Sequence, residues 1–265
     1  MTSEKALTVA IQGERGAFSH QAALAALGAG SEVLSRATCD ELFDSVVEEK
    51  ADRALVPIEN SLHGSIHENY DRLKANPLHI VAETQVRVRL CLVARPGTTF
   101  DAIRRVASHP VALGQCVKFF AAHPRLEAIP AYDTAASVRD LFTEAAPADA
   151  AIGSALAARL YGGAVLQEGI EDHPQNYTRF LVVAREAAAA TGRCKTSVVF
   201  TLPNAPGSLH RALGMFAKRD LDLAKIESRP IPGRPWEYAF YLDVLGDPAG
   251  ELTVALEECR AIARE

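Results

Sequence analysis

What most constrains this chain is a repeated alternation of short apolar runs with helix-forming stretches. Residues 7–12 are apolar, Gly13 and Gly16 break the run, and residues 19–27 follow as an alanine- and leucine-rich helix. A second helix is expected over 42–49 and a buried strand over 53–57, ending at Pro57. Residues 66–73 read as helix and 80–93 as strands. Residues 104–107 are strand-like, and Pro110 suits a first helical position after Ser108 or His109. That helix is expected to reach about residue 122, so that Cys116 falls inside it. Thr134 can cap a further helix through Leu141. A strand over 150–153, a helix over 154–161 and a strongly apolar strand over 179–184 complete the series. Such alternation buries a sheet between layers of helix, which is an α/β architecture.

The texture then changes. Residues 187–195 are alanine-rich and polar, end in Thr191-Gly192-Arg193-Cys194-Lys195, and predict a linker. Beyond it come a strand (197–202), a helix (208–218), two strands (222–226 and 237–244) and a helix (251–263). This β-α-β-β-α order is a ferredoxin-like unit lacking its last strand, which leaves a sheet edge open.

Composition narrows the partners. A formal net charge of -5 and the lack of a long basic run argue against nucleic acid. The five cysteines are odd in number and widely spaced, with no CxxC pair, so reduced and buried thiols are expected rather than disulfides or a metal site. No apolar run is long enough to span a bilayer, and residues 1–10 do not read as a signal peptide. No membrane partner is expected, and a cytoplasmic address follows by default.

Four polar clusters interrupt apolar elements, each at the end of a predicted strand, where ligands gather in open α/β sheets. The first runs from Gln12 through Gly13, Gly16, Ala17 and Ser19, a glycine turn feeding a helix start with free N–H groups. The second, Glu59-Asn60-Ser61 with His63, Gly64 and Ser65, crowds a carboxylate, an amide and hydroxyls into one turn. His63, His67 and Glu68 lie close in sequence, but no further ligand completes a metal set. The third is Ser108-His109-Pro110 with Gln115-Cys116, and the fourth is Asn176-Tyr177-Thr178-Arg179-Phe180. Each could also be a capped turn.

Taken in order across residues 8–184, these clusters resemble the prephenate dehydratase family. Thr178-Arg179-Phe180 is similar to its TRF signature, Glu59-Asn60-Ser61 with Gly64 to its ENSxxG turn, and Ser108-His109-Pro110 with Gln115-Cys116 to its SHPxxxxQC segment. Ala151-Ile152-Gly153-Ser154 with Tyr161-Gly162 fits its strand–helix segment. Val111 and Gly114 depart from the pattern, where glutamine and alanine are usual. In the C-terminal part, Pro206-Gly207-Ser208-Leu209 resembles the loop that starts the ACT helix, and Glu227-Ser228-Arg229-Pro230 resembles the ESRP motif.

The resemblance implies a two-lobed, periplasmic-binding-protein-like dehydratase domain over residues 1–186. Lobe one would take about 1–84 and 172–186, and lobe two about 85–171. The linker and an ACT regulatory domain over 196–265 would follow. The implied reaction turns prephenate into phenylpyruvate, carbon dioxide and water. Aromatisation drives it, and no cofactor or metal is expected. Thr178 is the first catalytic candidate and Glu59 the alternative proton donor. Ala17, Ser19, Asn60, Ser61, Gly64, Ser108, His109, Gln115, Asn176, Arg179 and Phe180 are the substrate-binding candidates. The resemblance also implies phenylalanine feedback through Gly207, Ser208, Leu209, Glu227, Ser228, Arg229 and Pro230, with the last four read as a turn, in a homodimer or homotetramer. Arogenate dehydratase is an alternative within the same family. A non-catalytic amino-acid sensor is the alternative from another class.

Overall fold

The computed structural model describes residues 6–190, 194–248 and 250–264, so Thr191, Gly192 and Arg193 of the expected linker lie outside the described residues. Two compact units divide the chain, Met1–Ala188 and Ala189–Glu265.

In the first unit, β1 (Thr8–Gln12), α1 (Phe18–Leu27), β2 (Glu32–Arg36), α2 (Cys39–Val47) and β3 (Arg53–Asn60) open one lobe. The two-residue β4 (Gly64–Ser65) folds back on β3, and α3 (His67–Ala75) leads to β5 (His79–Arg87). The chain crosses to the second lobe through β6 (Cys91–Ala94), β7 (Arg105–Ser108), α4 (Pro110–Gly114), α5 (Val117–Ala122) and β8 (Glu127–Pro130). That lobe continues with α6 (Thr134–Asp140), β9 (Ala150–Gly153), α7 (Ala155–Tyr161) and β10 (Ala164–Glu168). Finally β11 (Tyr177–Ala184) returns between β3 and β5. The sheet orders are β2-β1-β3-β11-β5 and β10-β6-β9-β7-β8. Two sheets joined by two crossovers make the two-lobed arrangement of a periplasmic binding protein.

Period-two alternation explains the layering of lobe one. Val9, Ile11, Leu55 and Val182 pack with Ala22 and Ala23 of α1. Ala10, Ala54, Val56 and Val183 pack on the opposite face with Leu42, Phe43 and Val46 of α2. Fully burying a side chain such as Ile11 or Leu55 contributes roughly 1.5–3 kcal/mol.

Three departures from the sequence reading bear on the cleft. Strand β3 continues past Pro57 to Asn60, because a register shift lets Phe180 pair with Pro57 and Arg179 with Glu59. The bulge absorbs the missing proline N–H. The expected helix over 110–122 is split at Gln115 and Cys116. The Asp172 carboxylate accepts from the N–H groups of Val117 and Lys118 and so starts a new helix there. Asp133, not Thr134, caps α6, its Oδ1 accepting from the Ala136 N–H at 2.8 Å.

The second unit comprises β12 (Cys194–Thr201), α8 (Ser208–Ala217), β13 (Asp222–Pro230), β14 (Tyr238–Gly246) and α9 (Glu251–Ile262). Its antiparallel sheet runs β12-β14-β13, three strands among the described residues. Phe216, Leu242, Val244, Leu252 and Cys259 form its core. Among the described residues, no helix is long and apolar enough to cross a membrane.

Candidate active site

The cleft between the lobes of the first unit holds two adjoining cavities. One, of about 620 Å³, is lined by Thr178, Asn60, His63, Gly64, His109 and Gln115. The other, of about 430 Å³, is lined by Ala17, Ser19, Arg36, His109, Asp133 and Phe180. Phe18, His109 and Thr134 face both. Cavities of this size accept a small-molecule ligand.

Thr178 sits on β11 opposite Asn60 of β3 and Val86 of β5, so strand pairing on both sides fixes its backbone. Asn60 donates from Nδ2 to Thr178 Oγ1 at 3.1 Å and to Asn176 Oδ1 at 2.7 Å. The Asn60 Oδ1 accepts from the N–H groups of Leu62 and His63. Two backbone donors therefore set the direction of this amide. Because Thr178 Oγ1 accepts from Asn60, its own O–H is left to donate into the cavity. Asn176 is 0% exposed and passes the chain on, donating to Gln115 Oε1 at 3.1 Å. Gln115 projects from the break between α4 and α5, which is why that break matters.

Other expected residues take supporting positions. Glu59 and Arg179 line neither cavity. The Arg179 side chain, 11% exposed, lies 2.8 Å from Glu83 and 3.5 Å from Glu59. Ser61 donates to the Gln175 carbonyl and accepts from the Tyr177 N–H, which ties the turn after β3 to β11. Ser108 is buried, and its hydroxyl donates to the Ile152 carbonyl, binding β7 to β9 rather than facing a ligand. His109 caps α4 through Nδ1, accepting from the Val111 N–H.

At the other end of the cleft, Ser19 donates to the Gln12 carbonyl at 2.6 Å, and Ala17 is the N-cap of α1. Glu14 and Arg139 form an ion pair at 2.8 Å, joining the lobes. Asp133 lies over the glycine turn, since a Cβ on Gly13 would meet its Oδ2 at 2.7 Å. Arg36 and Asp133 line the cleft from outside the four polar clusters. A cap-type aspartate just before a predicted helix start was the readable signal for Asp133.

Burial pushes the Cys91 and Cys116 thiols up to about 11 and about 12. Both are fully packed, and Cys116 is the N-cap of α5 rather than a residue inside a long helix. Among the described residues, no group of His, Cys, Asp or Glu could hold a metal ion.

In the second unit, Gly207 is the left-handed N-cap of α8 and Ser208 its buried first residue. Leu209 packs on the core of that unit. Glu227, Ser228, Arg229 and Pro230 lie in β13, paired with Tyr241, Phe240, Ala239 and Tyr238, so they form a strand where a turn was expected. The Arg229 guanidinium stands over the Tyr241 ring, 5.4 Å from its centroid.

Known proteins share this architecture. Residues 9–188 match the family described as prephenate dehydratase, and residues 196–255 match the ACT domain. The chain is 41% identical over 256 residues to arogenate dehydratase/prephenate dehydratase 2, chloroplastic, of Arabidopsis thaliana, covering 92% of this chain. It spans 66% of that relative's own length, less than two thirds. A crystal structure of prephenate dehydratase in complex with L-Phe from Arthrobacter aurescens superposes with a TM-score of 0.86 at 35% identity, covering 97% of this chain and 86% of that one. GqqA, described as a novel type of quorum quenching acylase, superposes with a TM-score of 0.85 at 31% identity, covering 97% and 94%. Matched over residues 9–188 and 196–255, the chain belongs to the prephenate dehydratase family and carries an ACT domain.

Proposed function

We propose that this chain catalyses the cofactor-free decarboxylating dehydration of prephenate to phenylpyruvate in phenylalanine biosynthesis. The observation that carries the reading is the Thr178 hydroxyl, which faces the cleft while its oxygen accepts from Asn60. The ring C–O bond breaks with its electrons on oxygen, and the departing carboxylate leaves its electrons to the ring. One proton is taken up, so the products are phenylpyruvate, carbon dioxide and water. Thr178 donates a hydrogen bond to the leaving oxygen, which takes up that proton and departs as water. Threonine is too weak an acid to act by acidity, so its effect comes from position and a preorganised field. Glu59 fits the donor role less well, because it lines neither cavity and its carboxylate lies beside Arg179. Incubating purified protein with prephenate and measuring phenylpyruvate tests the reading. Absence of product refutes it.

Arogenate is the second reading, favoured by the carboxylate of Asp133 at the end of the cleft away from Thr178. The ring hydroxyl and the side chain of either substrate lie at opposite ends of the ring. With the hydroxyl at Thr178, the side chain points toward Arg36 and Asp133. Arogenate carries an ammonium where prephenate has a keto oxygen, and Asp133 is the group such a charge would meet. Asp133→Asn keeps the helix cap, since asparagine caps as well as aspartate. It is expected to lower kcat/KM for arogenate about tenfold while changing that for prephenate less than about twofold. Equal loss on both substrates would leave Asp133 a purely structural residue.

The name of the acylase relative makes amide hydrolysis a rival. That chemistry needs a nucleophile activated by a neighbouring base. The neighbour of Thr178 is the Asn60 amide, and the Cys91 and Cys116 thiols are pushed away from the thiolate. An amino-acid sensor would bind prephenate without turnover.

Phenylalanine acts through the ACT domain in this reading, in a homodimer or homotetramer. Saturating phenylalanine is expected to lower turnover severalfold, within the usual size of allosteric coupling of roughly 1–3 kcal/mol. A rate that stays constant through the titration removes the regulatory part.

A further inference from the structure

The amide chain behind Thr178 has a direction that can be followed to its far end. Asn60 Oδ1 accepts from the backbone N–H of Leu62 at 3.0 Å and of His63 at 3.1 Å. A flipped amide would face both with a donor, so Nδ2 is the group turned to Asn176 Oδ1. Asn176 must then donate from Nδ2 to Gln115 Oε1. Gln115 is left with Nε2 facing His63 Nε2 at 3.0 Å. An amide NH₂ only donates, so the His63 Nε2 has to accept. Its single proton is then on Nδ1 and the ring is uncharged.

The contact also joins the lobes. Asn60, His63, Asn176 and Thr178 belong to the first lobe, and Gln115 reaches them from the second. Gln115 accepts from one first-lobe side chain and donates to another.

We infer that His63 is a positioning residue for the Thr178 centre: its neutral Nδ1–H tautomer closes an interlobe clasp through Gln115, and protonation opens it. The consequence for turnover rests on the dehydratase reading of the same cleft, whereas the tautomer does not.

Protonated His63 presents a donor at Nε2 to the donor of Gln115. Gln115 can keep the contact only by turning its Oε1 to His63, and that removes the acceptor of the fully buried Asn176 Nδ2. Asn176 cannot turn in compensation, because Asn60 is held by two backbone groups. The clasp is thus present when His63 is neutral and lost when the ring is protonated. The titratable side chains sharing this cavity are His67 and Glu68 from α3 and His109 at the cap of α4. Asp172, near the Gln115 backbone, is turned to the N–H groups of Val117 and Lys118.

Two measurements on the full chain test this. The first is the ¹⁵N imidazole spectrum, assigned with His63→Gln. At a pH of about 8, where histidine is ordinarily neutral, it should show His63 with an unprotonated Nε2 and a protonated Nδ1. A protonated Nε2 overturns the clasp whatever the protein catalyses. The second is kcat across about pH 5.5 to about pH 8, the range in which imidazoles change charge. Wild-type kcat should fall severalfold toward the acid end. His63→Ala should be severalfold slower than wild type at about pH 8 and close to wild type at about pH 5.5, and His63→Gln, which offers an acceptor that does not titrate, should restore most of that loss and flatten the acid limb. His67→Gln should keep the limb. A limb that survives His63→Gln, or one that disappears in His67→Gln instead, overturns the assignment. Lack of turnover of both prephenate and arogenate by wild-type protein would defeat the dehydratase reading and leave the tautomer to decide the clasp.

Discussion

Thr178→Ala should cut kcat for phenylpyruvate formation by about 10²–10³, the loss typical of removing one preorganised donor from a developing oxyanion. The size follows from what the substitution removes and what it leaves. It deletes the only group of the Asn60–Thr178 pair that can give a proton to the cleft. It leaves β11 intact, because backbone pairing with Asn60 and Val86 does not involve the side chain. The melting temperature should therefore move little, and KM should change far less than kcat. Thr178→Ser keeps the hydroxyl but frees its rotamer, so a fall of within about tenfold is expected. Glu59→Gln offers the comparison. It weakens the partner of Arg179 while every cavity-lining group stays, so its effect should be milder than that of Thr178→Ala. Near-normal turnover in Thr178→Ala would remove Thr178 from the chemistry. A deeper loss in Glu59→Gln would move the donor role to Glu59.

Much of this cleft is legible in the sequence, and the reason is local. Thr178 and Phe180 precede an uninterrupted apolar strand, Asn60 ends another, and both ends fall where a sheet offers its ligands. Strands with fully buried positions announced themselves by apolar content, as in Ala150–Gly153. What stayed hidden depends on partners distant in sequence. β8 is largely exposed, with only four residues of mixed character, and carries no run to recognise. The break at Gln115 is made by Asp172, fifty-five residues beyond Val117. No local propensity records that contact, yet it sets Gln115 at the cleft. Glu59 and Arg179 look like site residues because they flank Asn60 and Thr178 in sequence. Strand alternation turns their side chains away from the cavity, where Arg179 lies between Glu83 and Glu59. The sequence places His63 in the polar turn after β3 but gives no sign of its partner, since that contact depends on an amide from the opposite lobe.

Gly16→Ala should be the most destabilising small substitution in the first unit, and the reason separates two effects that glycines usually combine. Gly16 has φ +96, a left-handed conformation that costs a residue with a Cβ roughly 1–2 kcal/mol. A Cβ there would also stand 2.7 Å from Ala157 Cα and 2.9 Å from Ala157 Cβ on α7. These are backbone and first-carbon atoms, with no flexible end to give way. Overpacking of this kind adds about 1–3 kcal/mol. The surroundings hold the turn in place. Gly16 donates its N–H to His20 Nδ1, whose pKa is lowered by burial and then by Arg15, so the ring accepts as the neutral form. Ser154 donates to the Gly16 carbonyl, and the Tyr161 hydroxyl donates to the Arg15 carbonyl at 2.9 Å. The turn therefore docks one lobe on the other just before Phe18 and Ser19 reach the cleft. A total of about 2–5 kcal/mol lowers the midpoint of a unit this size by roughly 4–20 °C. Gly28→Ala is the matched control, with φ +87 and nothing within 4 Å of its Cβ position. At φ 87 and ψ 163 it should show only the conformational part, a loss of about 1–3 kcal/mol, and leave kcat/KM for prephenate unchanged. Gly16→Ala should lower kcat/KM as well, because the displaced turn carries the head of α1 with it. Equal midpoints in the two variants would show that the lobes do not meet at Gly16 as closely as its contact with Ala157 requires.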